Sequence, residues 1–251
     1  MLEFKDVTFK YAEDDFYMMK DLNFSVKKGE FVSLIGQSGC GKSTILRLIN
    51  GLEKPEKGEI LIDGKNINTL KDYCAFMPQK DLLFPWRTIE KNLCIPMEIK
   101  GVPKKDMHKK CVNVLEEVGL LDYIDKYPKD LSGGMKQRVS FARTILAGSD
   151  IMLLDEPFSA LDSLTRMDMQ EWLLKQWKHF GKTIIFITHD VEEAVFLSDA
   201  VYIIQDRPFK DMERVEIPEQ YPKSREFLKR PDIVALREEL IKKLRNRREE
   251  Q

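Results

Sequence analysis

Gly36-Gln37-Ser38-Gly39-Cys40-Gly41-Lys42-Ser43 stands between a short apolar run, Phe31 to Ile35, and a helix-like run from Thr44 to Asn50. Its spacing is G-x-x-x-x-G-K-S, and between a strand and a helix that spacing predicts a phosphate-binding loop. Glycines at the turn let backbone N–H groups converge on phosphate oxygens, and the N-terminus of the following helix adds partial positive charge. Lys42 is suited to bridge the β- and γ-phosphates of a nucleotide, and the Ser43 hydroxyl to coordinate Mg²⁺. The whole stretch from Gly36 to Thr44 is therefore the expected nucleotide cradle.

Outward from that loop the chain shows two kinds of strand. Leu2 and Phe4, Val7 and Phe9, then Leu22, Phe24 and Val26 alternate with polar residues, the period-2 pattern of half-buried antiparallel strands. Glu59 to Lys65 adds another, with Asp63-Gly64 as its tight turn. Ile151 to Leu154, Thr183 to Ile187 and Val201 to Ile204 differ: short, uninterrupted and rich in branched residues, like strands buried on both faces. They predict a largely parallel sheet beside a small antiparallel one. Helical periodicity dominates between Pro85 and Ala147, including Met107 to Val118 and Gly134 to Leu146, which predicts a helical insertion over about 85–147.

The 251 residues suffice for one or two domains with a substantial core. Hydrophobic content of 43% and charged content of 33% are those of an ordinary soluble globular protein. With 41 basic and 42 acidic residues the formal net charge is -1, so no global field recruits nucleic acid or an acidic membrane, and no nucleic-acid partner is expected. Cys40, Cys74, Cys94 and Cys111 are widely spaced and form no Cys-x-x-Cys pair, as reduced thiols of a cytosolic protein do. The start, Met1-Leu2-Glu3-Phe4-Lys5-Asp6, lacks a basic stretch followed by an apolar one, and no run approaches the ~18 apolar residues of a membrane span. The chain reads as neither secreted nor embedded.

Two further stretches carry chemistry. Asp155 ends the apolar run Ile151 to Leu154 and precedes Glu156. An acid at the carboxyl end of a buried strand lies at the ligand-facing edge of an α/β sheet, where its carboxylate can reach Mg²⁺. Glu156 leaves the strand end in a new direction, suited to polarise an attacking water. Leu131-Ser132-Gly133-Gly134-Met135-Lys136-Gln137-Arg138 opens a helix, with Ser132 suited to cap it and two glycines exposing consecutive amides: a second anion site.

Leu131 to Gly134 matches the first four residues of the signature Leu-Ser-Gly-Gly-Gln, and with the elements above the chain resembles the ATPase subunits of ATP-binding cassette (ABC) transporters. Met135 departs from the pattern at the fifth position. The resemblance runs from about Met1 to Asp206 and implies a P-loop NTPase core with a mostly parallel sheet, an N-terminal antiparallel β subdomain and an inserted helical subdomain. The ATPase domain is expected over 1–222, with an amphipathic helical tail over 223–251. By the same resemblance, Tyr11 stacks on adenine, Gln79 senses Mg²⁺ and the attacking water, Ser159-Ala160-Leu161-Asp162 crosses the dimer interface, and His189 contacts the γ-phosphate. Ser132, Gly133 and Gly134 would bind the γ-phosphate held by the opposite subunit, so two ATP molecules are sandwiched in a two-fold homodimer.

The implied reaction is phosphoryl transfer from ATP to water. Ser43, Asp155 and Gln79 would hold Mg²⁺, Glu156 would act as general base, and His189 would stabilise the transition state. The loop after Gln79, Asp81 to Thr88, would receive a transmembrane permease. Its pattern Leu-Phe-Pro-Trp-Arg-Thr, with Asn92 beyond, resembles the nitrate, sulfonate, taurine and thiamine-precursor importers. Those systems draw solute from an extracytoplasmic binding protein and keep the ATPase peripheral on the cytoplasmic face of the membrane. An export or lipoprotein-release ATPase is the alternative. A DNA-repair-type ATPase is disfavoured, because Lys42 and Asp155 are 113 positions apart (155 minus 42) with no heptad array between them. From Lys223 to Gln251, ten Lys or Arg stand against six Asp or Glu, with Ile233, Leu236, Leu240 and Leu244 on one helical face. Such a stripe is expected to dock on its own domain.

Overall fold

The computed structural model of the protein describes residues 1–204, 207–219 and 222–245, so the last part of the expected tail, 246–251, and Asp206 lie outside the described residues. In chain order the elements begin with strands β1 (Leu2–Phe9), β2 (Met19–Val26) and β3 (Phe31–Gly36), helix α1 (Lys42–Ile49), and strands β4 (Lys57–Ile62), β5 (Lys65–Asn66) and β6 (Cys74–Met77). Helices α2 (Ile89–Ile99), α3 (Lys104–Glu117) and α4 (Gly133–Leu146) follow, then β7 (Ile151–Asp155) and α5 (Ser163–Phe180). The chain continues through β8 (Thr183–Ile187), α6 (Val191–Leu197), β9 (Ala200–Ile204), β10 (Glu213–Glu216) and α7 (Pro231–Arg245). Two compact units result, one of residues 1–71 with 174–251 and one of residues 72–173.

In the first unit, β2, β1, β4 and β5 form an antiparallel sheet in that order. The apolar phase of β1 switches from even to odd positions between Phe4 and Val7, and the structure accommodates it with a register shift there and Asp6 at φ +51°. One extra residue turns both halves of the strand's apolar set to the same face. Asp63 and Gly64 both take positive φ and join Ile62 to its partner Lys65, the tight hairpin expected from the Asp-Gly pair.

Strand β3 runs parallel to β8 on one side and β9 on the other, and β10 closes that edge antiparallel to β9. Every residue of β8 and β9, and every residue of β3 before Gly36, is buried, which is why their sequences are continuous apolar runs. Phe31 lies edge-on to Trp177 and Phe186, and burial of such a side chain contributes about 1.5–3 kcal/mol. A central strand flanked by parallel neighbours delivers its following loop to the carboxyl edge of the sheet, where α/β proteins bind ligands.

Helix α7 begins with Pro231, whose missing N–H costs nothing at a helix start. It packs against α6 with Ile233 and Leu240 fully buried and an Arg237–Glu192 ion pair, so the described tail docks on its own unit.

In the second unit β6 and β7 are parallel, with Met77 opposite Leu154. Helix α4 packs against β6 and against α2 and α3. Neither β6 nor β10 was expected from the sequence. Asn92, on α2, is fully buried, and its amide bonds the N–H and carbonyl of Phe84 and the carbonyls of Arg87 and Thr88. One side chain therefore fixes the preceding loop, on which Phe84 (39% exposed) and Trp86 (71%) are displayed outward rather than serving as core anchors.

Candidate functional site

The phosphate loop is built by its own backbone needs. A Cβ at Gly36 would lie 2.7 Å from Cys40 Sγ and 2.8 Å from the Ile204 carbonyl oxygen, so only glycine lets β3 end there. Gly41 takes φ +113°, a conformation L side chains rarely adopt, and serves as N-cap of α1. Gly41 brings no capping side chain to α1 and no acidic residue occupies its first turn, so the loop presents amides and the positive end of the helix dipole. Lys42 is 7% exposed, and its Nζ donates to the carbonyls of Gly36 and Gln37, both at 2.8 Å, which arches the ammonium over the loop. Burial raises the Cys40 thiol above its ordinary range although the Lys42 ammonium pulls the other way, so Cys40 is a packing residue.

Around this loop the first unit places three more features. The Tyr11 hydroxyl lies 2.9 Å from Thr44 Oγ1 and its ring stands edge-on to Phe9, which brings Tyr11 beside α1. Gln37, on the outer side of the loop, donates to the Leu244 carbonyl of α7 at 3.3 Å. His189 is exposed just past β8, and the parallel pairing of Leu34 with Ile187 puts it on the same sheet edge as Gly36. The residues flanking it are held: Thr188 Oγ1 donates to Glu193 Oε2 at 2.6 Å, and Asp190 Oδ1 accepts from the Glu192 and Glu193 amides to cap α6.

The second unit gathers the remaining expected residues. Because β6 and β7 run parallel and end together, Gln79 and the Asp155-Glu156 pair leave the same edge. Asp155 is buried at 9% exposure. Glu156 turns sharply, at φ +49°, and its Oε2 accepts from Gln79 Nε2 at 3.0 Å. Ser132 Oγ accepts from the Met135 N–H at 3.3 Å, the expected cap, and Ser132 and Gly133 are exposed at the start of α4. Asp162 accepts from the Thr165 N–H at 3.0 Å, and that bond lowers its carboxyl below the usual range. A cavity of about 370 Å³ is lined by Gln79, Lys80, Asp81, Leu82, Gly133, Gln137 and Ala160.

Two α4 residues escaped the sequence reading. Gln137 is 4% exposed, donates to the Glu156 carbonyl at 3.3 Å and accepts from the Ala160 N–H at 3.0 Å. Arg143 donates to the carbonyls of Asp81 and Leu82 at 2.8 and 2.9 Å, just past Gln79. A signal existed: Gln137 and Thr144 put polar groups at helical spacing on the buried face of α4, where each finds a backbone partner, Thr144 Oγ1 donating to the Ser140 carbonyl at 3.0 Å.

Within the second unit the residues expected to hold a cation offer oxygen donors, a carboxylate at Asp155 and an amide at Gln79. Their hardness fits Mg²⁺. Gln79 turns its N–H toward Glu156, so its carbonyl oxygen is the end suited to a cation.

Residues 19–159 match the family model described as ABC transporter. Over 209 residues the chain is 43% identical to the aliphatic sulfonates import ATP-binding protein of Bacillus cereus, covering 83% of this chain and 82% of that protein. It is 38% identical over 218 residues to the formylaminopyrimidine import ATP-binding protein of Halalkalibacterium halodurans, covering 87% and 85% respectively. An uncharacterized ABC transporter ATP-binding protein of Methanocaldococcus jannaschii is 41% identical over 232 residues, 90% of this chain and 87% of that one. Among solved structures, the dimeric post-hydrolysis state of an ATP-binding cassette bound to ADP and Pi superimposes with a TM-score of 0.78 at 31% identity, covering 88% of this chain and 100% of that one.

Proposed function

Since the chain belongs to the ABC transporter family, we propose that it powers import of a small solute across a bacterial cytoplasmic membrane, with the residues described above in the roles that follow. The observation that carries the reading is the phosphate loop, with its uncapped α1 and Lys42 arched over two loop carbonyls. That arrangement can exchange carbonyl contacts for phosphate oxygens without rebuilding the backbone.

The reaction is hydrolysis of ATP to ADP and phosphate. Lys42 and the loop amides hold the β- and γ-phosphates, and Tyr11 meets the base. Mg²⁺, when bound, neutralises phosphate charge, and Ser43, Asp155 and Gln79 are the residues that would hold it. Glu156 accepts the proton of the attacking water, its carboxylate oriented by Gln79 at 3.0 Å. His189 donates toward the charge that develops on the γ-phosphoryl oxygens. Ser132 and the amides of Gly133 and Gly134 serve the nucleotide of a second copy, and Asp162 closes the same two-fold interface. The ADP- and Pi-bound dimer to which the chain is similar supports that arrangement.

Transport would be coupled through the loop fixed by Asn92. Leu82, Phe84 and Trp86 expose apolar surface there, 58%, 39% and 71% respectively, which suits a helix of a permease. No helix among the described residues is long and apolar enough to cross a membrane, so attachment to the cytoplasmic face would run through that permease. The sulfonate and formylaminopyrimidine import proteins among its relatives support a solute of the nitrate, sulfonate, taurine or thiamine-precursor kind, delivered by an extracytoplasmic binding protein.

Replacing Glu156 with Gln tests the assignment. Turnover should fall about 100- to 10,000-fold, the range for loss of a general base, while Mg-ATP is still bound and the protein sediments as a dimer. Full phosphate release by that variant would place the base elsewhere.

A further inference from the structure

We propose that Gln137 is a positioning residue for hydrolysis, one that fixes the backbone of Glu156 and ties it to the helix beginning at Ser132. The inference rests on the reading of Glu156 as proton acceptor.

Glu156 takes φ +49° without being a glycine, a conformation that costs about 1–3 kcal/mol and persists only where the surroundings enforce it. The enforcement is visible. The Glu156 carbonyl accepts from the Ser159 N–H at 3.2 Å and from Gln137 Nε2 at 3.3 Å, while Gln137 Oε1 takes the Ala160 N–H at 3.0 Å. One buried amide thus grips the turn after β7 at its first and fifth residues, using a donor and an acceptor at once.

Only Gln makes this grip. A carboxylate at 137 offers no donor to the Glu156 carbonyl, and an apolar chain offers neither group and strands the Ala160 N–H and its share of the carbonyl. Asn is one methylene too short to reach from the same helix position.

The grip also transmits. A Cβ on Gly134 would lie 3.2 Å from Leu161 Cδ2 and 3.6 Å from the Ala160 carbonyl oxygen, so the first turn of α4 rests on the far end of the same segment. Arg143 holds Asp81 and Leu82 from the same helix, just beyond Gln79, whose amide orients the Glu156 carboxylate. Movement at Ser132 to Gly134, where a second copy's phosphate would arrive, reaches Glu156 through Gln137 rather than through solvent.

Gln137→Met, which keeps length and apolar packing, and Gln137→Glu, which keeps shape, test this together with Glu156→Gln. Both 137 variants should lower kcat for ATP hydrolysis about 10- to 100-fold, the penalty of a misplaced reacting group, with KM for ATP within about twofold. Hydrogen exchange of the amides from Glu156 to Leu161 should accelerate. Adding Gln137→Met to Glu156→Gln should cost nothing further, because a residue acting through Glu156 has no effect once that carboxylate is gone. Wild-type kcat in Gln137→Met beside an arrested Glu156→Gln would overturn the positioning role and leave the base assignment standing. Full turnover by Glu156→Gln would overturn the base assignment itself. Failure of both 137 variants to fold, or losses that multiply in the double variant, would reduce Gln137 to a packing residue.

Discussion

The helices α1 and α4 both begin at glycine-bearing turns without an acidic residue in the first turn, yet their N-termini are finished differently. At α1 the cap is Gly41, which brings no side chain to the end amides, and Lys42 curls back over the loop. At α4 Ser132 accepts from the Met135 N–H at 3.3 Å and holds its hydroxyl at the helix mouth. The α1 end is therefore a complete anion site, with charge, amides and dipole supplied by one short segment. On the proposed reading the α4 end is a partial one, offering an oriented hydroxyl and two glycine amides to a phosphate held elsewhere, because a hydroxyl accepting from Met135 still has its own proton to donate. The difference teaches which residues should govern nucleotide affinity and which should govern turnover.

The sharpest break in that contrast comes from Lys42→Ala. The loop then keeps its turn but loses the ammonium that Lys42 arches over it. ATP affinity should drop about 100-fold or more, since a charge-assisted contact of about 2.7 kcal/mol corresponds to two decades. Nucleotide titration measures it, and unchanged affinity would show that Lys42 contributes nothing to binding.

Ser132→Ala should act on the other side of the comparison and less strongly. Losing the cap should cost about 1 kcal/mol of stability, a fall of about 2–4 °C in Tm for a chain of this size. ATP affinity of the monomer should stay as it was, while turnover at dimer-forming concentrations falls about tenfold. Ser132→Thr, which keeps the hydroxyl, should restore both. A loss of monomer affinity as large as that of Lys42→Ala would erase the distinction between the two helix starts.

How far sequence carried this picture follows from the same contrast. The phosphate loop was legible because its requirements are local: Gly36, Gly41, Lys42 and the strand before them lie within a dozen residues, and spacing alone encodes the turn. The buried strands and the Asp63-Gly64 hairpin were legible for the same reason. Ser132 as a cap could be read from its place before two glycines and a helical run. The grip of Gln137 on Glu156 could not, because its partners are backbone atoms 19 and 23 residues away and nothing in a glutamine announces that it is buried. The left-handed turn at Glu156 was hidden too, since the residue type argues against it. Short β6 was passed over because half of its four residues are only partly buried, which leaves a weak pattern.

Met135→Gln makes the smallest and most pointed change. The sequence departs from the family signature at that residue alone, and in the structure its backbone N–H, not its side chain, meets Ser132. The side chain is half-buried on the first turn of α4, where a glutamine of similar length fits without disturbing the cap. Stability should shift by less than about 0.5 kcal/mol, the range of surface substitutions away from special features. If Ser132 and the glycine amides are what greets the second copy's phosphate, ATPase rate and dimer formation should both remain within about twofold of the parent. A rise of tenfold in either would mean that the glutamine side chain of the signature contributes a contact this chain does without, and that the α4 end is less complete than its cap suggests.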